Sequence, residues 1–234
     1  KCPVDTGFIV YNTAAYPNLI AFFDALGVET ASSDMSFAVS LDGGRYEYSG
    51  AGLSGIFGQP QNILRLSHWR MLADILRFFK EAAAAGTSDV PPNMSLGQWL
   101  QARGYSKSFI HGHIAPMAAA IWSGPADAML DFPFAAFCRF FSNHGLLQAS
   151  GRPEWRTVRG GSRNYVDKIK NRFSGRVSLA DPVCDVEGGA SGVIVRTRAG
   201  TKERYEAVVI ASHADDAVSI VSNVEPDTRR LLSQ

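Results

Sequence analysis

The sequence predicts an α+β protein. A discontinuous α/β portion with a β-meander, residues 1–33 and 155–234, brackets a mainly helical domain with a β-hairpin, residues 34–154. Three observations carry this expectation. The chain opens on an apolar run, Gly7 to Tyr11, followed by a turn and a helical repeat. Its middle is rich in apolar residues at helical spacing, and beyond Trp155 short strand patterns take over. The order is β-α, a helical insert, then α-β-β-β-β-α, so the outer segments are expected to join in space.

Each element has a local reason. Pro17 suits a first helical turn, Leu19, Phe22, Phe23 and Leu26 recur at helical spacing, and Gly27 stands where a helix stops. Phe37–Leu41 and Tyr46–Ser49 flank Asp42-Gly43-Gly44, a hairpin signature. A helix is expected from about Asn62 to Ala85, with Trp69, Leu72, Leu76 and Phe79 on one face and Arg70, Arg77 and Lys80 off it. Shorter helices are expected at Ser95–Ala102, Lys107–Trp122 and Pro133–His144. Gly160-Gly161-Ser162 then leads into a helix carrying Tyr165, Val166, Ile169 and Phe173, which Gly175 ends. Strands are expected at Val177–Leu179, Val183–Glu187, Val193–Arg198 and Arg204–Ile210, and a last helix from about Asp215.

Composition narrows the function. With 234 residues, 46% hydrophobic and 19% charged, the chain can bury a sizeable core. A formal net charge of +1 supplies no basic field for nucleic acid. Cys2, Cys138 and Cys184 form no CxxC pair, which fits a reducing compartment. No apolar run approaches the ~20 residues of a membrane-spanning helix. The first residues lack the charged-then-apolar layout of a secretion signal, so a cytoplasmic protein is expected; peripheral membrane contact stays open.

Several motifs fail on inspection. Gly50-Ala51-Gly52-Leu53-Ser54-Gly55 spells a phosphate-loop pattern, yet Gly58 and Pro60 follow so closely that no helix is expected to open there. His111 and His113 diverge by about 200° on a helix and have no carboxylate or cysteine pair at ligand spacing, so no metal is expected. No G-x-S-x-G elbow is present. His144 ends an aromatic helix, where a histidine commonly meets the helix C-terminal dipole. Gly160-Gly161-Ser162 reads either as a tight turn with an N-cap or as bare amides for an anion.

Other stretches carry a family likeness. Val4-Asp5-Thr6-Gly7-Phe8, Tyr16-Pro17-Asn18-Leu19 and Leu26-Gly27-Val28 resemble the segment after the first βαβ unit of flavin-containing amine oxidases, phytoene desaturases and protoporphyrinogen oxidases. Met35-Ser36-Phe37, Trp69-Arg70-Met71-Leu72, Ala120-Ile121-Trp122-Ser123 and Asn143-His144-Gly145-Leu146-Leu147 resemble a bacterial branch of NAD/FAD-binding, amine-oxidase-like proteins. Trp155 to Ala217 runs parallel to the same superfamily, including Pro182-Val183 and Val208-Val209-Ile210-Ala211-Ser212.

The resemblance implies that the chain is the interior of an FAD enzyme, whose Rossmann phosphate loop lies ahead of it. Residues 1–33 and 155–234 would then be a partial FAD-binding domain and residues 34–154 the substrate domain. The flavin would lie against Thr6, Gly7 and Phe8, with Val183 at the adenine and Ala211 and Ser212 nearby. An aromatic pocket including Trp122, Phe137, Phe141 and His144 would take an apolar or amine substrate for hydride transfer to FAD. No catalytic base stands out, and no turnover is expected of this stretch alone. A non-catalytic module for a hydrophobic ligand or partner, without cofactor, is the competing expectation; self-association through bare apolar surface is a third.

Overall fold

In the computed structural model, the structure describes residues 4–5, 7–84, 91, 93–148, 151 and 153–233. They fall into two compact units, Lys1–Arg172 and Phe173–Gln234.

Unit 1 begins with a two-residue strand, β1 (Tyr11–Asn12), and helix α1 (Pro17–Leu26). Pro17 occupies the first turn, and Gly27 closes the helix at φ 65°. There the Gly27 and Val28 amides donate to the Asp24 and Phe23 carbonyls at 3.0 and 2.9 Å, a Schellman closure. Next comes β2 (Thr30–Ser32). The expected hairpin follows as β3 (Ala38–Leu41) and β4 (Tyr46–Ser49), in register Ala38↔Ser49 to Leu41↔Tyr46. Asp42, Gly43 and Gly44 all have positive φ, which explains the two glycines.

A short helix, α2 (Gly52–Ile56), does open inside the glycine-rich stretch, contrary to expectation. Gly58 stops it after one turn, and the strand before it belongs to an antiparallel hairpin, so the phosphate-loop arrangement is still absent. The long helix α3 (Leu66–Ala84) starts later than expected, because Pro60–Leu64 forms a 3-10 turn. Helix α4 (Leu96–Ala102) is held by a full capping box: the Ser95 amide donates to Gln98 Oε1 (3.0 Å) and the Gln98 amide to Ser95 Oγ (3.2 Å). The next expected helix is three joined pieces: α5 (Lys107–Phe109), a π-helical turn over Ile110–Ile114, and α6 (Ala115–Trp122). Helix α7 (Phe134–Asn143) lies where it is expected.

Strand β5 (Trp155–Val158) and helix α8 (Arg163–Arg172) end the unit. The sheet order is β1-β5-β2, both pairings antiparallel, so the start of the chain shares a sheet with residues more than a hundred positions on. The expected strand over Gly7–Tyr11 is shorter than its apolar run. Beyond the Tyr11↔Arg156 pair, the Ile9 carbonyl accepts from the Thr157 side chain (2.8 Å) instead of a backbone amide.

Two cores hold unit 1. The larger packs Met71 and Phe78 of α3 against Leu96, Trp99, Phe109, Phe137 and Phe141. The smaller gathers Tyr11, Phe23 and Val158, with Phe8, Tyr16 and Tyr165 around them.

Unit 2 is a meander of β6 (Val183–Gly189), β7 (Gly192–Thr197) and β8 (Lys202–Tyr205), followed by α9 (Ala214–Ile220) and an unforeseen α10 (Pro226–Leu232). Two expected strands are corrected. Val177–Leu179 is irregular, cut off from β6 by Ala180 at φ 58° and without a neighbour in the meander. β8 stops at Tyr205, not Ile210, because its last partner is Val193 and the hairpin turn lies just beyond. Among the described residues of this unit, Val186 alone is buried.

Candidate functional site

The residues singled out by the sequence fall at three places, one in unit 2 and two in unit 1. In unit 2, Val183, Ala211 and Ser212 come together. With Val186, Val195 and the Val208–Ile210 stretch they line a cleft of about 210 Å³. Ala211 and Ser212 are exposed and lie outside the strand ladder, so their main chain is open to a ligand. A flat group fits beside the open backbone of Ala211 and Ser212, against a wall of valine and isoleucine side chains. In unit 1, a Cβ built on Gly7 meets nothing within 4 Å, so its main chain is open as well. Phe8 turns its ring into the small core, 6.2 Å from Tyr11 and 6.3 Å from Phe23. Thr6 lies outside the described residues.

Two amides of the Gly160-Gly161-Ser162 turn are not bare, and the Gly161 amide donates to the Val158 carbonyl (3.1 Å). The Ser162 amide donates to Asp5 Oδ2 (2.9 Å), and the Ser162 hydroxyl donates to the Phe8 carbonyl (2.7 Å). The helix start therefore holds an anion, but it is the chain's own carboxylate.

Trp122, Phe137, Phe141 and His144 also come together, as a stack. Phe137 and Phe141 lie 4.0 Å apart at 21°, and Trp122 stands 5.7 Å from Phe137. Phe137 and Phe141, expected at a pocket wall, have no solvent exposure and belong to the core. His144 follows the last residue of α7, where its Nδ1 sits 2.8 Å from the Phe140 carbonyl. A carbonyl only accepts, so Nδ1 carries the proton and Nε2 receives the Tyr16 hydroxyl at 3.0 Å.

A cavity of unit 1 lies elsewhere, between the hairpin, α2, α3 and the π-helical turn, and measures about 620 Å³. Phe37, Trp69, Leu72, Leu76, Phe79 and Met117 supply much of its wall. Sequence reasoning put Trp69, Leu72, Leu76 and Phe79 on one face of α3. The buried positions are His68, Met71, Asp74, Phe78 and Ala82, while Leu72 and Phe79 pack half-buried against the same core and Trp69 and Leu76 remain 48% and 62% exposed. The signal was present: α3 carries two adjacent apolar stripes where a core needs one.

Polar groups mark the cavity's inner end. The Tyr48 hydroxyl stands 2.7 Å from His113 Nδ1 and 3.0 Å from the Gly112 carbonyl. One hydroxyl proton serves both contacts if Tyr48 donates to the carbonyl and accepts from a protonated Nδ1. Burial pushes the Tyr48 phenol far above its usual range, so it stays neutral. Two residues earlier on the strand, Tyr46 repeats the arrangement with His68 Nδ1 at 2.7 Å, and burial, opposed by Arg65, pushes its phenol up to about 12. The π-helical turn aims His113 at this pair and leaves His111 exposed. Among the described residues no group of three or more metal-ligating side chains is gathered, and no helix is long and apolar enough to cross a membrane.

His68 gives a pH prediction. It has no solvent exposure, and its pKa is lowered, chiefly by burial, with the Ile56 backbone raising it and Arg65 lowering it. As pH falls below about 6.5, the unfolded chain takes a proton that folded His68 resists, so stability declines by up to about 1.4 kcal/mol per pH unit. Urea midpoints between neutral pH and pH 5 are expected to slope less steeply in His68→Gln than in the wild type. Equal slopes exclude His68 as the source.

The family model described as flavin containing amine oxidoreductase matches residues 2–231. No curated protein matches. Solved structures do. Wild-type putrescine oxidase bound to putrescine aligns at TM-score 0.66 and 18% identity, covering 96% of this chain and 51% of that one. Cyclohexylamine oxidase from Brevibacterium oxydans IH-35A aligns at TM-score 0.68 and 16% identity, covering 99% and 52%. The CLA-producing fatty acid isomerase from P. acnes aligns at TM-score 0.59 and 12% identity, covering 98% and 52%. The chain thus spans about half the length of the structures it matches, and at these identities the likeness is one of fold.

Proposed function

The chain belongs to the flavin-containing amine oxidoreductase family, and on that premise we propose that it supplies the substrate domain and part of the flavin domain of an FAD-dependent oxidoreductase. The observation that carries the reading is the unit 2 cleft. Val183 and the Ala211-Ser212 pair, assigned to one cofactor by resemblance, line the same wall although 28 positions separate Val183 from Ala211. Bound flavin would supply the two-electron acceptor. Ala211 and Ser212 would present open backbone to it, with Val183 on the same wall. The hydrophobic residues about the unit 1 cavity would orient an amine or apolar substrate and exclude water.

The test is spectroscopic. The full-length gene product, refolded with FAD, is expected to show a flavin absorbance band, and Ala211→Leu, which fills the cleft, to weaken FAD binding at least about tenfold. No flavin band in the wild type, or unchanged affinity in Ala211→Leu, defeats the proposal. The cavity of unit 1 favours a second reading, a cofactor-free module for hydrophobic ligands. That reading requires ligand binding with no saturable FAD quenching.

A further inference from the structure

We infer that the cavity of unit 1 is a binding site for an uncharged hydrocarbon chain, in preference to an ammonium-bearing amine. The inference rests on the oxidoreductase reading only in calling that ligand a substrate. The cavity's apolar walls are Phe37, Leu72, Ile75, Phe79 and Met117, with Trp69 and Leu76 half open to solvent and with Ser36, Ser49 and His113 as polar neighbours. Among the described lining residues there is no Asp, Glu, Lys or Arg.

The carboxylates adjacent in sequence to the lining face elsewhere. Asp74, between the lining residues Ala73 and Ile75, is buried and accepts from the Ser106 amide at 3.0 Å, with Arg77 3.7 Å away. Glu47, beside Tyr48, accepts from the Ser40 hydroxyl at 2.7 Å. From Tyr48 to Ala73 the sequence contains no acidic residue, while Arg65 and Arg70 fall within it. An ammonium entering this cavity would leave water without a counter-ion, whereas a methylene chain gains by leaving water. At the inner end, Tyr48 is neutral and already bonded to His113 and the Gly112 carbonyl, so it offers no negative charge.

The probe is the uncharged dye Nile red, titrated into the 234-residue chain and displaced by decanol or by decylamine, which share one alkyl length. The dye is expected to brighten saturably, and decanol to displace it at a concentration at least about tenfold lower than decylamine at neutral pH. Ala73→Trp, an exposed helix position on the cavity wall, is expected to weaken dye binding at least about tenfold. Ala84→Trp, on the same helix but off the cavity, is expected to leave it within about twofold.

Leu76→Glu supplies a carboxylate at the half-open wall, where folding is little disturbed. It is expected to move the preference toward decylamine by at least about fivefold. No saturable brightening, equal displacement by the two ligands, wild-type binding in Ala73→Trp, or an unmoved preference in Leu76→Glu overturns the inference. None of these readouts involves flavin. Loss of FAD binding with dye displacement intact removes the oxidoreductase reading alone, and the reverse removes the cavity assignment alone.

Discussion

Phe137→Ala is expected to destabilise unit 1 by about 3–5 kcal/mol, the usual range for emptying a fully buried phenylalanine site. Phe137 has no solvent exposure and stacks on Phe141 at 4.0 Å, with Phe78 6.1 Å away on another side. Helices α3, α6 and α7 meet around it, so partial collapse does not refill the space. A domain's whole stability is about 5–15 kcal/mol, so the loss should appear as a large drop in the urea midpoint or as failure to fold. Phe137→Leu, which retains most of the volume, should be much milder. Leu53→Ala, at a position 76% exposed, should stay within about 0.5 kcal/mol. A Phe137→Ala protein with a wild-type midpoint would mean that the stack is not the core.

Gly192→Ala is expected to loosen unit 2 selectively. Gly192 holds φ +119°, and an added Cβ would lie 2.5 Å from the Tyr205 carbonyl oxygen, a backbone atom that moves only with β8. The strained backbone alone costs about 1–3 kcal/mol, before the clash is counted. With Val186 the sole buried side chain among the described residues of this unit, little burial offsets such a loss. Amide exchange over Val193–Val195 and Lys202–Tyr205 should quicken by roughly five- to a hundredfold, while the Trp99 and Phe137 neighbourhood keeps its protection. Gly188→Ala, with nothing within 4 Å of the added Cβ, is the silent control. Equal effects at the two glycines would refute the close-approach argument.

Much of the fold was legible because its signals are local. Asp42-Gly43-Gly44 announces the hairpin, and Pro17 and Gly27 bound α1 by chemistry contained within a turn. Strands β2 and β5 were missed for the opposite reason. Thr30-Ala31-Ser32 and Trp155-Arg156-Thr157-Val158 are short and half polar, and they become strands only because each finds the other across some 126 positions. The Val208-Val209-Ile210 run reads as a strand on propensity alone, yet the ladder ends before it reaches them. For the site, the adjacent stripes of α3 were visible, but choosing which one faces the core required the aromatic residues of α4 to α7. The contact between Asp5 and Ser162 was beyond local reading, since no pattern links residues 157 apart.

That contact has a consequence for anion traffic. A carboxylate tethered by its own chain sits beside the Ser162 amide at an effective concentration of roughly millimolar order. A nucleotide present at micromolar levels competes poorly against it for that helix start. The glycine turn therefore works as a latch that keeps Asp5 and Phe8 at the start of α8 and leaves the Ser162 amide closed to a competing phosphate.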